Sequence, residues 1–213
     1  IDDDISAFIS NPMEHAEASK IALFSIADYA WNMDAYKSDA SWRRAVRYLM
    51  PGHAAALQVF ASHNSDLGGN EHDFRREESE QIRPALERLL DAYCREGKRE
   101  VAAASAVTEE CERMIASADL LLASDENPAL IKEITPWLMQ FKLLGEYGRE
   151  VLCMLAAQCD GKKTELEKAA SHAKALQVLM KKIDATYNQN GFQPGVKTGS
   201  CHLKPAFDRL YHC

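Results

Sequence analysis

Between Pro128 and Cys159, the residues Ile131, Ile134, Leu138, Phe141, Leu144, Val151, Leu152 and Leu155 recur at helical steps, with Trp137 beside them. That spacing gathers apolar side chains on one side of a helix. A helix this long must cover that side with other helices. Its ends are marked as well. Asp125-Glu126-Asn127-Pro128 stops one element and starts another, since proline suits a first helical turn, and Asp160-Gly161 closes the run. Gly145 and Gly148 weaken the helix locally and offer places where a neighbour can come close.

The rest of the chain supplies those neighbours. Helices are predicted over 16–31, with Ile21, Phe24, Ala27 and Trp31 as its buried face, and over 41–50, with Trp42, Val46 and Leu49 inward and Ser38 or Asp39 as caps. After Pro51-Gly52 comes a helix over 54–63 through Leu57 and Phe60. Residues 64–74 read as a loop, 77–94 as a helix kinked at Pro84, and 101–122 as a further helix. The stretch 164–187, with Leu176, Leu179, Met180 and Ile183, is the last long one. Residues 188–200 break the pattern, and 205–213 allow a turn or two that must pack on the rest to persist. Long helices joined by short turns predict an all-α fold, an antiparallel helical bundle.

Composition narrows the function. The chain has 213 residues, enough for a sizeable core, and a net charge of −7. It has no basic stripe of the kind that displaces counterions from nucleic acid; Arg43, Arg44, Arg47, Arg75 and Arg76 read as solvated helix faces. Nucleic acid is therefore not an expected partner, and neither is a membrane, because no run of about 18 apolar residues occurs. Ile1-Asp2-Asp3-Asp4 lacks the basic start and apolar stretch of a signal peptide, and a chain opening on Ile reads as processed or cut. Six cysteines (94, 111, 153, 159, 201 and 213) are spread out with no C-x-x-C pair, so buried free thiols are expected. Cys153 and Cys159 fall on different faces of one helix and should not pair.

Most chemical motifs fail on spacing. Glu-x-x-His, His-Glu-x-x-His and Gly-x-Ser-x-Gly are absent, and Glu165, Glu167 and His172 are wrongly spaced for one metal site. His63, Asp66, Glu71, His72 and Asp73 surround a Gly-rich turn, which suits calcium. Their spacing matches no calcium loop, and a solvated turn uses the same residues; no metal and no cofactor are expected. Asp2, Asp3 and Asp4 could suggest a glycosidase carboxylate pair, but with nothing upstream to shape a pocket they read as a solvated terminus. In "AFISNP" a short apolar strand, Ala7 to Ile9, ends at Asn11, where Pro12 turns the chain out. On spacing alone Asn11 caps the next helix.

"SNPMEHAEASKIALFSIADYAWNMDAY", "HNSDLGGNEHDFRREES", "ERMIASADLLL", "EITPWLMQFKLLGE" and "NQNGFQPGVKT" run in order nearly end to end. Together they resemble glycoside hydrolase family 84, at the junction of its catalytic barrel and post-catalytic helices, and are most similar to its Bacteroides-type bacterial β-N-acetylglucosaminidases. The resemblance implies that residues 1–13 are a remnant of the last strand and loop of a missing (β/α)8 barrel. It makes residues 14–187 the helical bundle, and 188–213 a loop with a truncated terminal helix. It further implies a parent that removes terminal β-linked GlcNAc by substrate-assisted catalysis, the acetamido oxygen forming an oxazoline. The two aspartates of that chemistry precede this chain, so no catalytic residue is expected here and the chain alone should be inactive. Asn11 carries over as a substrate-binding residue that hydrogen-bonds a sugar hydroxyl. The implied partners are the catalytic barrel of the same parent chain and a GlcNAc-bearing glycan or glycoprotein, with a homodimer left open. The parent's implied location is periplasmic or secreted. An exposed apolar patch near Phe8, Ile9 and Met13 should mark where the barrel docks. The alternative is a free-standing helical protein-interaction module without enzymatic activity.

Overall fold

A computed structural model describes residues 9–10, 14–65, 77–191 and 194–213. Eight α-helices are found among them: α1 Ala16–Trp31, α2 Ser38–Leu49, α3 Ala54–Ser62, α4 Arg83–Leu90, α5 Val101–Leu122, α6 Pro128–Cys159, α7 Lys163–Thr186 and α8 Leu203–His212. Helix α6 is the axis. It packs against α5 on one side and α7 on the other, while α1 leans on its N-terminal part and α8 on its C-terminal half. Turns as short as 160–162 fold these long helices back on one another. The predicted all-α bundle is therefore the fold. Residues 1–8 and 11–13 of the expected strand remnant and loop lie outside the described residues; Ile9 is 92% exposed.

Local chemistry explains several boundaries. Asn127 caps α6, its side chain accepting from the Leu130 amide, and Pro128 opens the first turn. At the other end Gly161 has φ +68°. Its N–H donates to the Gln158 carbonyl, and that of Lys162 donates to the Ala157 carbonyl, a Schellman ending.

Other expectations need correcting. Pro84 does not kink a long helix; it starts α4, where its missing N–H would have no partner anyway. Residues 78–82 form turns, and a π-helical turn, Asp91–Arg95, closes α4. Helix α2 begins at Ser38 with Lys37 at its cap position, one residue before the predicted caps. Leu179 is 47% exposed on α7, because Ala169, Ala173, Met180 and Ile183 face α6 instead. The larger departure is α1. Of its expected buried face, Trp31 is 92% exposed and Ala27 is exposed, and Ser19 is the buried residue of the helix. Apolar periodicity shows that a face wants cover, and the described residues cover only the first half of this one.

The cysteines also depart from expectation. Cys94, in the π-helical turn, and Cys213, just past α8, form a disulfide with Cα atoms 5.3 Å apart across 119 residues of sequence. Cys111 is buried and free, while Cys153 and Cys159 are exposed. The terminal helix is longer than predicted and is stable by packing: Leu203, Ala206, Phe207 and Leu210 are buried.

Gly145 and Gly148 do admit close neighbours. A Cβ on Gly145 would come within 2.9 Å of the Cys111 carbonyl of α5, and one on Gly148 would enter the Phe207 ring of α8. Gly148→Ala is expected to destabilise the chain by about 2 kcal/mol through overpacking. The midpoint of urea unfolding, at unchanged slope, measures it.

Candidate functional site

The residue expected to touch substrate, Asn11, lies outside the described residues. The structure does show what holds the chain just after it. Helix α1 starts behind His15, whose side chain makes no capping hydrogen bond. The first amides of a helix have no partner within it and favour an anion. Here Glu133, from the second turn of α6, provides the anion. Its Oε2 accepts from the Glu17 N–H at 3.1 Å and its Oε1 from the Ala18 N–H at 2.8 Å. One turn along α6, Trp137 meets the His15 ring edge to face, with centroids 4.8 Å apart. From the loop after α7, Asn190 Nδ2 donates to Glu14 Oε2 at 2.9 Å. Sequence reasoning assigned none of these three a role, although all lie in stretches that carry the resemblance.

The second cluster forms around His63, proposed from sequence as part of a cation loop. Asp66, Glu71, His72 and Asp73 lie outside the described residues. His63 is 2% exposed and both its ring nitrogens are engaged, Nδ1 with Ser79 Oγ and Nε2 with Glu110 Oε1, each at 2.7 Å. It therefore has no nitrogen left for a metal. Among the described residues, no group of three or more His, Cys, Asp or Glu side chains is arranged to hold one.

Hydroxyl, imidazole and carboxylate in a row look like a nucleophile relay, but Ser79 is 2% exposed and no substrate reaches it. The cluster is structural. Ser79 holds a left-handed backbone (φ 56°), which costs a non-glycine residue about 1 kcal/mol. Its N–H donates to the Ser62 carbonyl at 2.9 Å and its hydroxyl to Glu78 at 3.1 Å. Glu78, fully buried, receives the amides of Cys201, His202 and Leu203 at the start of α8. Arg113 pairs with Glu110 from outside. Burial pushes the Glu110 carboxyl up, but the His63 hydrogen bond and charge, and then Arg113, outweigh this and hold it below the usual value.

A shallow groove of about 280 Å³ runs between α5 and α6, past Tyr93, Arg99, Arg149 and Cys153. Its charges are already paired, Arg99 with Asp160 and Arg149 with Glu112. Tyr93 is pushed up to about 12 by burial and by its contact with Cys159, so it offers no base near neutral pH. The outer side of α1 and α2 differs in character. Trp31 (92% exposed), Tyr48 (73%), Tyr29 and Met33 are exposed on these helices and the turn between them, with Phe24 against Tyr48 and Tyr29 against Tyr36.

Two family models match the chain. The one described as bacterial GH84, post-catalytic domain, matches residues 78–211, and the one described as beta-N-acetylglucosaminidase matches residues 1–62. Helices α1 to α3 fall in the second match and α4 to α8 in the first. Solved structures are similar as well. CpGH84D has 27% identity and a TM-score of 0.83, over 95% of this chain and 33% of its own. CpGH84B has 21% identity and a TM-score of 0.81, over 97% and 34%. A mutant of the O-GlcNAc hydrolase of Thermobaculum terrenum has 20% identity and a TM-score of 0.69, over 95% and 39%. The chain thus spans about a third of the length of the first two.

The Glu110 environment gives an acid limb. Its folded pKa lies below the unfolded one, so its contribution is present above the ordinary glutamate range and lost as pH falls through the lower folded value. Glu110→Gln should flatten that loss of stability as pH falls below the ordinary glutamate range. Glu110→Ala, which leaves His63 buried without its partner, should cost about 3 kcal/mol at pH 7. Denaturant melts across pH measure both.

Proposed function

The chain belongs to glycoside hydrolase family 84, as the post-catalytic helical domain of its bacterial members, and from that premise we propose that it serves a longer β-N-acetylglucosaminidase as a non-catalytic support. The carrying observation is that the two family matches follow one another in a single chain, with residues 1–62 matching the glycosidase model and 78–211 the post-catalytic one. In this reading the catalytic domain precedes the bundle in the parent chain. The parent removes terminal β-linked GlcNAc, including O-GlcNAc, by substrate-assisted catalysis, and Asn11 contributes a hydrogen bond to a sugar hydroxyl.

The partner is the catalytic domain, and its landing surface is the outer side of α1 and α2. Trp31 and Tyr48 are large and exposed, and Tyr48 lies beside Phe24. Surfaces of that kind mark contacts, and this one lies inside the segment that matches the glycosidase model. Ile9, also inside it and 92% exposed, belongs to the patch expected from sequence; Phe8 and Met13 lie outside the described residues. A periplasmic or secreted location fits the disulfide between Cys94 and Cys213, since such bonds persist in oxidising compartments. No helix among the described residues is long and apolar enough to cross a membrane.

The test compares hydrolysis of a fluorogenic GlcNAc β-glycoside by this chain and by one extended upstream through the catalytic domain. Turnover is expected only from the longer chain. Turnover by this chain alone would overturn the non-catalytic assignment, and silence from both would overturn the glycosidase reading. For the landing surface, Trp31→Ser should leave the melting temperature of this chain nearly unchanged, as exposed substitutions do within about 0.5 kcal/mol. It should lower that of the longer enzyme by several degrees. Equal, small effects in both would place the catalytic domain elsewhere.

A further inference from the structure

We propose that the second half of α7, with the loop that follows it, is a docking face for an acidic helical segment of a partner protein. The partner's carboxylates meet Lys174, Lys181, Lys182 and Lys197, and its apolar residues cover Val178 and Leu179. The proposal does not rest on the glycosidase reading.

Charge is unevenly placed along the chain. The net charge is −7, yet from Lys168 to Ser200 there are five lysines and a single acid, Asp184. Asp184 is committed, its Oδ1 accepting from the Val196 N–H at 2.8 Å. Lys174, Lys181 and Lys182 are exposed and take part in no ion pair among the described residues. Lys197, also exposed, reaches only the Pro194 carbonyl, at 3.4 Å. The start of the same helix is different, since Lys162 pairs there with Asp160 and Glu165. No basic residue stands in the last turn of α7, so these lysines do not answer the dipole at its end.

Helical geometry gathers them. Positions 174, 178, 181 and 182 are three or four residues apart in succession around 178, and so share one side of α7. That side is turned away from Ala169, Ala173, Met180 and Ile183, the buried residues of the helix. Val178 is 60% exposed and Leu179 47%, with Ala175 exposed a turn before them. Beyond the helix, Lys197 joins Lys181 around a recess of about 330 Å³ that Asp184, Gln189 and Pro194 also line.

Charge and apolarity together name the occupant. An unpaired cationic face attracts anions and turns basic partners away. Nucleic acid or an acidic polysaccharide would satisfy the lysines but set a polar backbone against Val178 and Leu179. From Lys174 to Lys182 there is also no arginine to grip a phosphate and no aromatic ring to stack on. A protein helix carries carboxylates and aliphatic side chains together. Its residues four apart stand about 6 Å from each other along the axis. Lys174, Val178 and Lys182 repeat that spacing, so glutamates on either side of a leucine fit them.

The test measures, by fluorescence anisotropy, binding of a labelled helical peptide of glutamate, alanine and leucine to the longer parent chain. Binding is expected, and should weaken severalfold as salt rises from about 0.05 to about 0.5 M. Lys181→Glu with Lys182→Glu should weaken it about tenfold, and Val178→Ser about fivefold. Lys163→Glu with Lys168→Glu makes the same change in net charge at the other end of α7 and should leave binding unchanged. All these positions are exposed, so the variants should melt like the wild type. No binding, equal binding of the peptide with lysine in place of glutamate, or equal losses in both double variants would overturn the proposal. Three further results would do the same. Binding by this chain but not by the longer one would give the face to the catalytic domain. A dimer in sedimentation that Lys181→Glu with Lys182→Glu dissociates would give it to a second copy. Tighter binding of polygalacturonate than of the peptide would make it a polysaccharide surface.

Discussion

The architecture depends on carboxylates that hold the starts of helices far away in the chain. Three helices start behind a histidine whose side chain makes no capping bond: α1 behind His15, α3 behind His53 and α8 behind His202. Each receives a glutamate from a remote part of the chain. Glu133 serves α1, Glu126 takes the Gly52 and His53 amides and the His53 ring just before α3, and Glu78 takes three amides at α8. The amides of Gly52, first, and then the His53 contacts hold the Glu126 carboxyl below its usual value. A local cap is worth about 1 kcal/mol to its own helix. A remote one does the same and also joins elements, so α1, α3 and α8 acquire a favourable start only once the bundle has assembled.

The central helix makes that assembly cooperative. Helix α6 has buried residues on nearly every side, from Leu130 through Tyr147 to Ala157, and it carries Glu133 at its start. Gly148 lets Phe207 of α8 reach it. On its other flank the Tyr147 hydroxyl donates to Asp208 of α8 and accepts from Gln177 of α7. Helix α8 is therefore fixed by Glu78 at its beginning, by α6 along its length and by the disulfide at its end. Closing a loop of 119 residues restricts the unfolded chain strongly, which lets a ten-residue helix serve as a permanent part of the core.

What could be read from sequence was what is local. The bounds of α5 and α6, the Pro128 start and the Gly161 stop each follow from a few neighbouring residues. The close approaches at Gly145 and Gly148 follow from the absence of a side chain. Pro84 was misread because the same property, a missing N–H, breaks a helix in its middle and begins one at its first turn; only the turns at 78–82 decide between them. The remote caps and the disulfide were invisible because their partners lie 73 to 125 residues apart. Trp31 was misplaced for another reason: periodicity reports a surface that wants burial, and cannot say whether the burying partner lies among the same residues. The candidate site was legible only in part, since resemblance pointed to Asn11 while Glu133, Trp137 and Asn190 became evident once helices were side by side.

Helix α1 is held unevenly. Its first turn and the residues just before it are tied by Glu133, Trp137 and Asn190, while Trp31 at its C-terminal end is exposed. Sixteen residues of helix make a rod about 24 Å long. A rod held by Glu133 at its first turn cannot rotate without breaking that contact. Ala18 and Ile21 near its start pack against the core, while Ala27 and Trp31 further along are exposed. That uneven hold accounts for an apolar repeat that runs further along α1 than its burial does.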